Sequence, residues 1–270
     1  MSMKKKERIK GERVLLAAFL LMSNIFLSGC QSERETFVTT KQEETSLEES
    51  SESRTTEVEK EKEIDWTEEI FTGESVFISY PVFSFQKNID ADTINQRIQE
   101  DALRILEYFD VNMESDTLDI TYEIADITED WISIVYCGSY SRADAAYPIA
   151  VKYTSNLSLA DGFHLQLAQM ENVEELAQRM IEGNFRVIGE DEEIKAAICE
   201  LVERMELEEL AQNLEAADFG MESYEAYPEW FSFWSTIEGE TQISIVMPVV
   251  HVLGDYAVLE VFLEGEEESK

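Results

Sequence analysis

The 33 residues from Gln31 to Glu63 constrain this chain most, because they cannot contribute to a folded core. They contain 11 Glu and 5 Lys or Arg, and they have no Gly or Pro. Their sizeable apolar residues are Phe37, Val38, Leu47 and Val58. So little apolar surface cannot offset the entropy lost on ordering. We therefore expect residues 30–63 to form a disordered acidic tether, roughly 30 Å long as a flexible coil, and residues 64–270 to form the core.

The first 29 residues have the pattern of a secretory signal peptide. Six Lys or Arg and two Glu give the first 13 residues a net charge of +4. An apolar run from Val14 to Leu27 follows this basic head. As a helix the run would be about 21 Å long, whereas the hydrocarbon core of a bilayer is ~30 Å thick. The sequence therefore predicts a signal peptide rather than a membrane-spanning helix.

The apolar run ends in Leu27-Ser28-Gly29-Cys30, which resembles the bacterial lipobox. In lipobox proteins the cysteine receives a diacylglycerol and becomes the N-terminus after cleavage. The resemblance implies that Cys30 is acylated and that the lipid bilayer is a partner through this residue. Two or more acyl chains make a durable anchor. We therefore expect a lipid-anchored protein on the extracytoplasmic face of a bacterial cell membrane. The alternative is an ordinary secretory signal with an incidental cysteine.

The predicted domain, Ile64–Lys270, is strongly acidic, with 45 Asp or Glu against 10 Lys or Arg, a net charge of −35. This charge disfavours binding to nucleic acid or to an anionic bilayer surface. It favours cationic partners, although a heavily solvated surface would produce the same composition. The length is sufficient for one core, or for two lobes that meet near residue 168.

Runs of β-branched and aromatic residues surround a helical middle part. Predicted strands cover 75–85, with Pro81 marking an edge or bulge, and 117–127, 131–140, 145–159, 230–237, 241–250 and 256–264. Amphipathic helices are predicted at 90–109 and 171–183, and a single acidic helix at 191–220 that ends at Gly220. This order, with hairpin-length turns, predicts an α+β fold with a mostly antiparallel sheet and helices packed on one side.

The sequence gives no specific indication of catalysis. His164 and His251 lack metal-type spacing, and we interpret both as surface or strand-end residues. No G-x-G loop or G-x-S-x-G elbow is present. Carboxylates are too abundant for any pair to be diagnostic of a glycosidase. We expect no cofactor, no metal and no enzymatic activity, with a cell-wall hydrolase as a less favoured alternative. Cys137 and Cys199 are expected to be buried free thiols, although an exported protein could pair them.

Three blocks resemble a family of extracytoplasmic domains of unknown function that includes the outer domain of the lysozyme-sensing anti-sigma factor RsiV. The non-catalytic part of the peptidoglycan deacetylase PdaC belongs to the same family. The blocks are ISYPVFSF with Ile94-Asn95, residues 122–162 with ISIVYCG and AAYP, and residues 230–261. The resemblance implies a single RsiV-like binding or sensing domain without chemistry of its own. Only about 13 residues precede Val14, so we expect no contact with a sigma factor.

Two loops supply the candidate ligand-binding residues. The loop between two predicted strands, GSYSRADAAYP, carries Tyr140, Arg142 and Tyr147, and Tyr and Arg are favoured at recognition surfaces. Asp255 and Tyr256 lie where the family resemblance places a ligand-contacting loop. The expected ligand is a cationic protein or a cell-wall component. The alternative function is an accessory subunit that contacts another envelope protein.

Overall fold

The computed structural model describes residues 64–85, 89–189, 191–220, 227–237 and 239–263. Contacts divide the chain into Met1–Thr40 and Lys41–Lys270, and every described residue belongs to the second unit. The strands are β1 Ile64–Thr72, β2 Val76–Phe85, β3 Thr117–Ile127, β4 Trp131–Ser141, β5 Ile149–Ser158, β6 Phe185–Ile188, β7 Phe231–Ile237, β8 Glu240–Pro248 and β9 Tyr256–Val261. The helices are α1 Ala91–Tyr108, α2 Leu167–Met170, α3 Val173–Ile181, α4 Glu192–Glu203 and α5 Leu207–Glu215, and a 3-10 turn covers His251–Leu253.

The first sheet has the order β1-β2-β3-β4-β5. Its neighbours are antiparallel except β2 and β3, which pair in parallel from Val76 to Ile78. Helix α1 connects these two strands, as a parallel pair requires a crossover. Pro81 lies in β2 beyond this short parallel ladder, so its missing N–H removes no hydrogen bond to β3. The prediction that Pro81 marks an edge or bulged strand is wrong, because β2 lies between β1 and β3 and pairs with β1 through Pro81 without a register shift.

Helix α1 covers one face of the first sheet. Asp90 caps it by accepting a hydrogen bond from the Thr93 backbone N–H at 3.1 Å. Its buried side chains include Ile94, Ile98, Ala102 and Ile105. Tyr153 of β5 donates its hydroxyl to the Ala102 carbonyl at 2.8 Å. The predicted helix and its apolar face are confirmed.

Asn95 of α1 attaches the helix to β2. Its side-chain oxygen accepts from the Phe83 N–H at 2.8 Å, and its amide nitrogen donates to the Phe83 carbonyl at 2.9 Å. The side chain therefore takes the place of a neighbouring strand where β2 has left the β3 ladder. This gives a structural reason for Asn95 at a position singled out by the sequence.

The second sheet has the order β6-β9-β8-β7, and all its pairs are antiparallel. Its core joins sheet residues such as Trp234 and Ile245 to helix residues such as Leu210 and Leu214. None of the helices in the described ranges is both long and apolar enough to cross a bilayer. The two sheets with their helices confirm the α+β class, and the strands are divided between two sheets.

The outer strand of the second sheet, β7, is bonded by polar side chains of the first sheet. Thr154 and Asn156 donate to the Ser232 carbonyl at 2.7 and 2.8 Å. Ser133 accepts from the Trp234 N–H at 3.1 Å and donates to Asn156 at 2.7 Å. All five residues are buried. These bonds satisfy backbone groups that an edge strand would otherwise leave exposed.

Asp218 closes the same junction. It adopts a left-handed backbone conformation with φ 71°. Its carboxylate accepts from the Ser232 N–H at 2.6 Å, the Ser232 hydroxyl at 2.5 Å and the Leu167 N–H at 3.0 Å. Complete burial raises the pKa of Asp218 to about 6, although these donors act in the opposite direction. A single carboxylate therefore joins β7 to the start of α2.

Several sequence predictions need correction. The single acidic helix predicted at 191–220 is wrong. This segment forms two helices, α4 and α5, and α4 ends at its C-cap Arg204. Ile198 and Val202 form the buried face of α4, and Leu201 is 39% exposed. The left-handed residue after α5 is Asp218 rather than Gly220. Strands β1 and β6 and helix α2 were not predicted. Cys137 and Cys199 form no disulfide within the described ranges, as expected, but only Cys137 is buried.

Candidate functional site

The loop from Arg142 to Pro148 joins β4 to β5 and is exposed throughout. The Ala145 N–H bonds to the Arg142 carbonyl at 3.0 Å, which forms a turn at its start. Arg142 pairs with Asp144 at 3.5 Å, and both side chains are largely in solvent. Tyr147 is 71% exposed. The loop therefore presents Arg142 and Tyr147 as the sequence predicted.

Tyr140 does not belong to this exposed set, and the prediction that it contacts a ligand is wrong. It is 2% exposed, and its ring stacks on Phe109 at a centroid distance of 4.3 Å. Its hydroxyl donates to Asp116 at 3.0 Å. Tyr140 pairs with Leu118 across β3 and β4, so both side chains point to the core face of the sheet. The alternation of Ile132, Ile134 and Tyr136 along β4 already indicates that even-numbered residues face the core.

Asp116 holds the beginning of the loop in place. Its carboxylate accepts from the backbone N–H groups of Asn112 at 3.0 Å and Ala143 at 3.1 Å. The bond from Asn112, with those from Ala143 and Tyr140, lowers the pKa of Asp116 despite an opposing contribution from burial. The carboxylate therefore fixes the exit of β4 and orients the loop that carries Tyr147.

The second candidate segment is the turn between β8 and β9. The Val249 N–H bonds to the Asp255 carbonyl at 3.0 Å, and Leu253 N–H bonds to the Val250 carbonyl at 2.7 Å. Gly254 has φ 103° and ends the 3-10 turn in a conformation that favours glycine. The turn leaves Val250 64% and Val252 81% exposed.

Asp255 joins the two candidate segments. One carboxylate oxygen accepts from the Ala150 N–H of β5 at 2.7 Å, and the other contacts Nδ1 of His251 at 2.8 Å. Because a carboxylate accepts, the second bond requires a proton on Nδ1. The Asp255 side chain is only 14% exposed. We therefore assign Asp255 a positioning role, with the exposed surface formed by its neighbours.

The exposed surface contains Tyr147 and Ile149 from one segment and Val250, His251 and Val252 from the other. We call these five residues the Tyr147–Val252 surface. The rings of Tyr147 and His251 are 6.2 Å apart. Beside them, the Lys152 ammonium lies 5.5 Å from the ring centroid of Tyr256, which is half-buried. The structure thus brings Tyr147, Asp255 and Tyr256 together, whereas the sequence treated the two segments separately and did not select His251.

Helix α4 lies against the 3-10 turn. It carries four Glu residues and one Lys. The Tyr147–Val252 surface is therefore apolar and aromatic, with an acidic helix beside it.

The other histidine, His164, is in the core. It forms a bridge with Leu157 at the end of β5, which agrees with a strand-end position, but it is 4% exposed. Its Nε2 lies 2.8 Å from Asp101, and the Ser155 hydroxyl donates to the same carboxylate at 2.5 Å. Because both groups share one acceptor, we interpret them as an internal network between α1 and β5. Within the described ranges, no group of three or more His, Cys, Asp or Glu could hold a metal ion.

Comparisons with known proteins give matches among solved structures alone. No family model matches the chain, and no curated protein matches it. The fold is similar to the crystal structure of a DUF3298 family protein, a domain of unknown function, from Pseudomonas aeruginosa PAO1. The TM-score is 0.33 at 10% sequence identity, and the match covers 74% of this chain and 88% of that chain.

Proposed function

We propose that this protein is a membrane-anchored extracytoplasmic lipoprotein whose folded domain binds a cationic protein or another envelope ligand without catalysing a reaction. The observation that carries the proposal is the Tyr147–Val252 surface, where two segments about a hundred residues apart expose apolar and aromatic side chains together. The bond from Ala150 to Asp255, across 105 residues of sequence, fixes this arrangement.

Clustered exposed apolar side chains are unfavourable in a monomer unless a partner covers them. Tyr147, Val250 and Val252 are 71%, 64% and 81% exposed. Aromatic residues are enriched at protein interfaces because they bury large areas and retain a polar group. The hydrogen bonds that hold the turn reduce the conformational entropy that binding would remove. These properties support a contact surface for another protein.

The charge of the domain supports a cationic ligand. Residues 64–270 carry a net charge of −35, and the acidic helix α4 lies beside the surface. Such a field increases encounter rates with cationic proteins. The resemblance to the RsiV outer domain makes lysozyme the first ligand to test. A cell-wall component is the second ligand class of this proposal.

The alternative is an accessory subunit that contacts another envelope protein. The apolar character of Ile149, Val250 and Val252 favours it, because permanent interfaces are more apolar than transient ones. In either case Cys30, which lies outside the described residues, would attach the protein to the membrane.

The test is calorimetric titration of the chain from Lys41 to Lys270 with lysozyme. Raising salt from about 50 to about 300 mM shortens the screening length from ~14 to ~6 Å, so binding by charge alone should vanish. We expect measurable affinity to remain, because apolar contacts are not screened. Tyr147→Ala and Val252→Ser should each weaken binding at least about fivefold. Phe163→Ala, at an exposed aromatic residue of another turn, should leave it unchanged.

Loss of all affinity at the higher salt, or equal affinity of the three variants and the wild type, would contradict ligand binding at this surface. A pull-down from native envelope with wild type and Tyr147→Ala would then test the accessory-subunit alternative. A partner that is captured equally by both proteins would reject a role for the surface in that function as well.

A further inference from the structure

Strand β1 is the outer strand of the first sheet, and most of it is exposed on both faces. Seven of its nine residues are exposed, and the other two are half-buried. It pairs with β2 along its whole length, from Ile64 opposite Phe85 to Thr72 opposite Phe77. Within the described ranges, no strand pairs with its other edge.

An apolar strip lies on one face of this β1–β2 ribbon. Residues opposite each other in an antiparallel pair point to the same face, and alternate residues share a face. Phe77 therefore shares a face with Thr72, Ile70 and Trp66. The three large apolar residues of this face are exposed: Phe77 is 45% exposed, Ile70 55% and Trp66 41%. We call Trp66, Ile70 and Phe77 the ribbon strip.

The ribbon strip is surrounded by acidic residues. Strands β1, β2 and β3 contain no Lys or Arg. Glu68 lies on the strip face between Trp66 and Ile70, and Asp119 of β3 pairs with Phe77. Asp65 and Glu69 are also in β1. The ribbon therefore offers an apolar centre, negative flanks and a strand edge.

The edge of β7 differs from the edge of β1. Strand β7 is also an outer strand, at the end of the second sheet, but Asp218, Asn156 and Ser133 form hydrogen bonds with the backbone of Ser232 and Trp234. That edge is closed to other strands. Proteins usually protect an exposed edge with charged side chains, Pro or a bulge. The charged side chains of β1 are all acidic, so they disfavour acidic or neutral strands and favour a cationic one.

We propose that β1 binds an extended cationic segment of a partner protein, which adds to the first sheet as a further strand. Backbone hydrogen bonds to the free edge would supply affinity, and side chains would supply specificity. Alternate apolar residues of the segment would lie beside Trp66 and Ile70 on the face of the ribbon strip. Its Lys or Arg would point to the opposite face, beside Asp65 and Glu69. This site is separate from the Tyr147–Val252 surface and does not depend on the function proposed above.

Charge excludes the two other obvious occupants. A second copy of the chain, paired antiparallel about the middle of β1, would place Glu68 opposite Glu68 and two acidic domains side by side. Like charges directly opposite are destabilising in a sheet. An anionic lipid surface would be repelled in the same way. A cationic strand would be attracted by the acidic residues of β1 and would form hydrogen bonds with its edge.

The probe is the peptide Lys-Val-Lys-Val-Lys-Val-Lys, titrated into the chain from Lys41 to Lys270. We expect saturable binding and about tenfold slower hydrogen exchange at alternate β1 amides. Ile70→Lys and Asp65→Lys, on the two faces of β1, should each weaken binding at least about fivefold. The matched controls are Ile237→Lys and Glu240→Lys, a cross-strand pair in which Ile237 is 50% exposed, and both should bind as the wild type does.

A peptide with Glu in place of Lys should not bind. The proposal is overturned if that peptide binds equally, if protection appears outside β1, or if no saturable binding occurs. It is also overturned if the Ile70 and Asp65 variants match their controls. Tyr147→Ala should leave the affinity for this peptide unchanged, which separates this site from the one tested with lysozyme. If Ile70→Lys lowers the melting temperature, Asp65→Lys alone decides.

Discussion

Asp218 offers a quantitative test of how the two sheets are joined. One carboxylate oxygen accepts from the Ser232 N–H, and the other accepts from the Leu167 N–H and the Ser232 hydroxyl. In Asp218→Asn only one oxygen remains. The amide group must then face one of the two backbone N–H groups, which loses its acceptor inside the protein. A buried donor without an acceptor costs ~1–3 kcal/mol.

The cost should depend on pH. Burial raises the pKa of Asp218 from 3.8 to about 6. Between these values the folded protein binds more protons than the unfolded chain, so the free energy of unfolding falls as pH rises. The full shift corresponds to about 3 kcal/mol. Because the isoelectric point is near 4.2, measurements are best made above about pH 5, where about 1.3 kcal/mol of this effect remains. Asp218→Asn lacks this pH-dependent contribution to the free energy of unfolding.

Urea unfolding, followed by the fluorescence of the four Trp residues, measures both quantities. The free energy of unfolding of the wild type minus that of Asp218→Asn should be about 1.3 kcal/mol larger at about pH 5 than at about pH 7.5. Asp161→Asn, at an exposed turn residue, should show no such change. If the difference between wild type and Asp218→Asn instead grew with pH, the hydrogen bonds would outweigh burial and the reasoning would be refuted. A difference independent of pH would refute it equally.

Three further substitutions test other parts of the structure. Gly138→Ala should destabilise by about 2 kcal/mol or more in urea unfolding, because the new Cβ would lie 1.8 Å from the Asp119 carbonyl oxygen. Asn95→Ala should cost about 1–3 kcal/mol by the same measurement, since it removes both bonds to the Phe83 backbone. Cys30→Ala should abolish labelling with an alkyne fatty acid, because it removes the proposed acceptor thiol.

Controls for these substitutions are available nearby. Ser139→Ala changes the exposed neighbour of Gly138, and Gln96→Ala changes the exposed neighbour of Asn95. Each should alter stability by less than about 0.5 kcal/mol. Equal losses in a variant and its control would contradict the assigned contact. Fatty-acid label that persists on Cys30→Ala would contradict acylation at that residue.

Much of the local structure could be predicted from sequence, because local chemistry determines it. Asp90 supplies a cap and Ile94, Ile98 and Ala102 supply the helical period, so α1 was predicted nearly to its ends. The strands with clear alternation, such as β3, were predicted for the same reason. Strand β1 was missed because three acidic residues interrupt its pattern, and its pairing with β2 is what makes it a strand.

The candidate site was predicted only in part. Exposure of Arg142 and Tyr147 follows from a loop that begins with a turn and carries charged residues. Burial of Tyr140 could have been predicted from the alternation of β4, which the loop interpretation overlooked. His251 had no sequence signal, since its role depends on Tyr147 and Asp255, which other elements bring close.

The sequence by itself determined the elements with strong periodicity, the acidic charge and the two segments that carry the candidate residues. These depend on residue type and spacing within a few positions. The tertiary structure alone decided which segments meet and which edges are closed. Asp255 reaches Ala150 across 105 residues, and Asn156 reaches Ser232 across 76. Such contacts are set by the packing of two sheets against each other, and no local pattern encodes the distance between atoms so far apart in the chain.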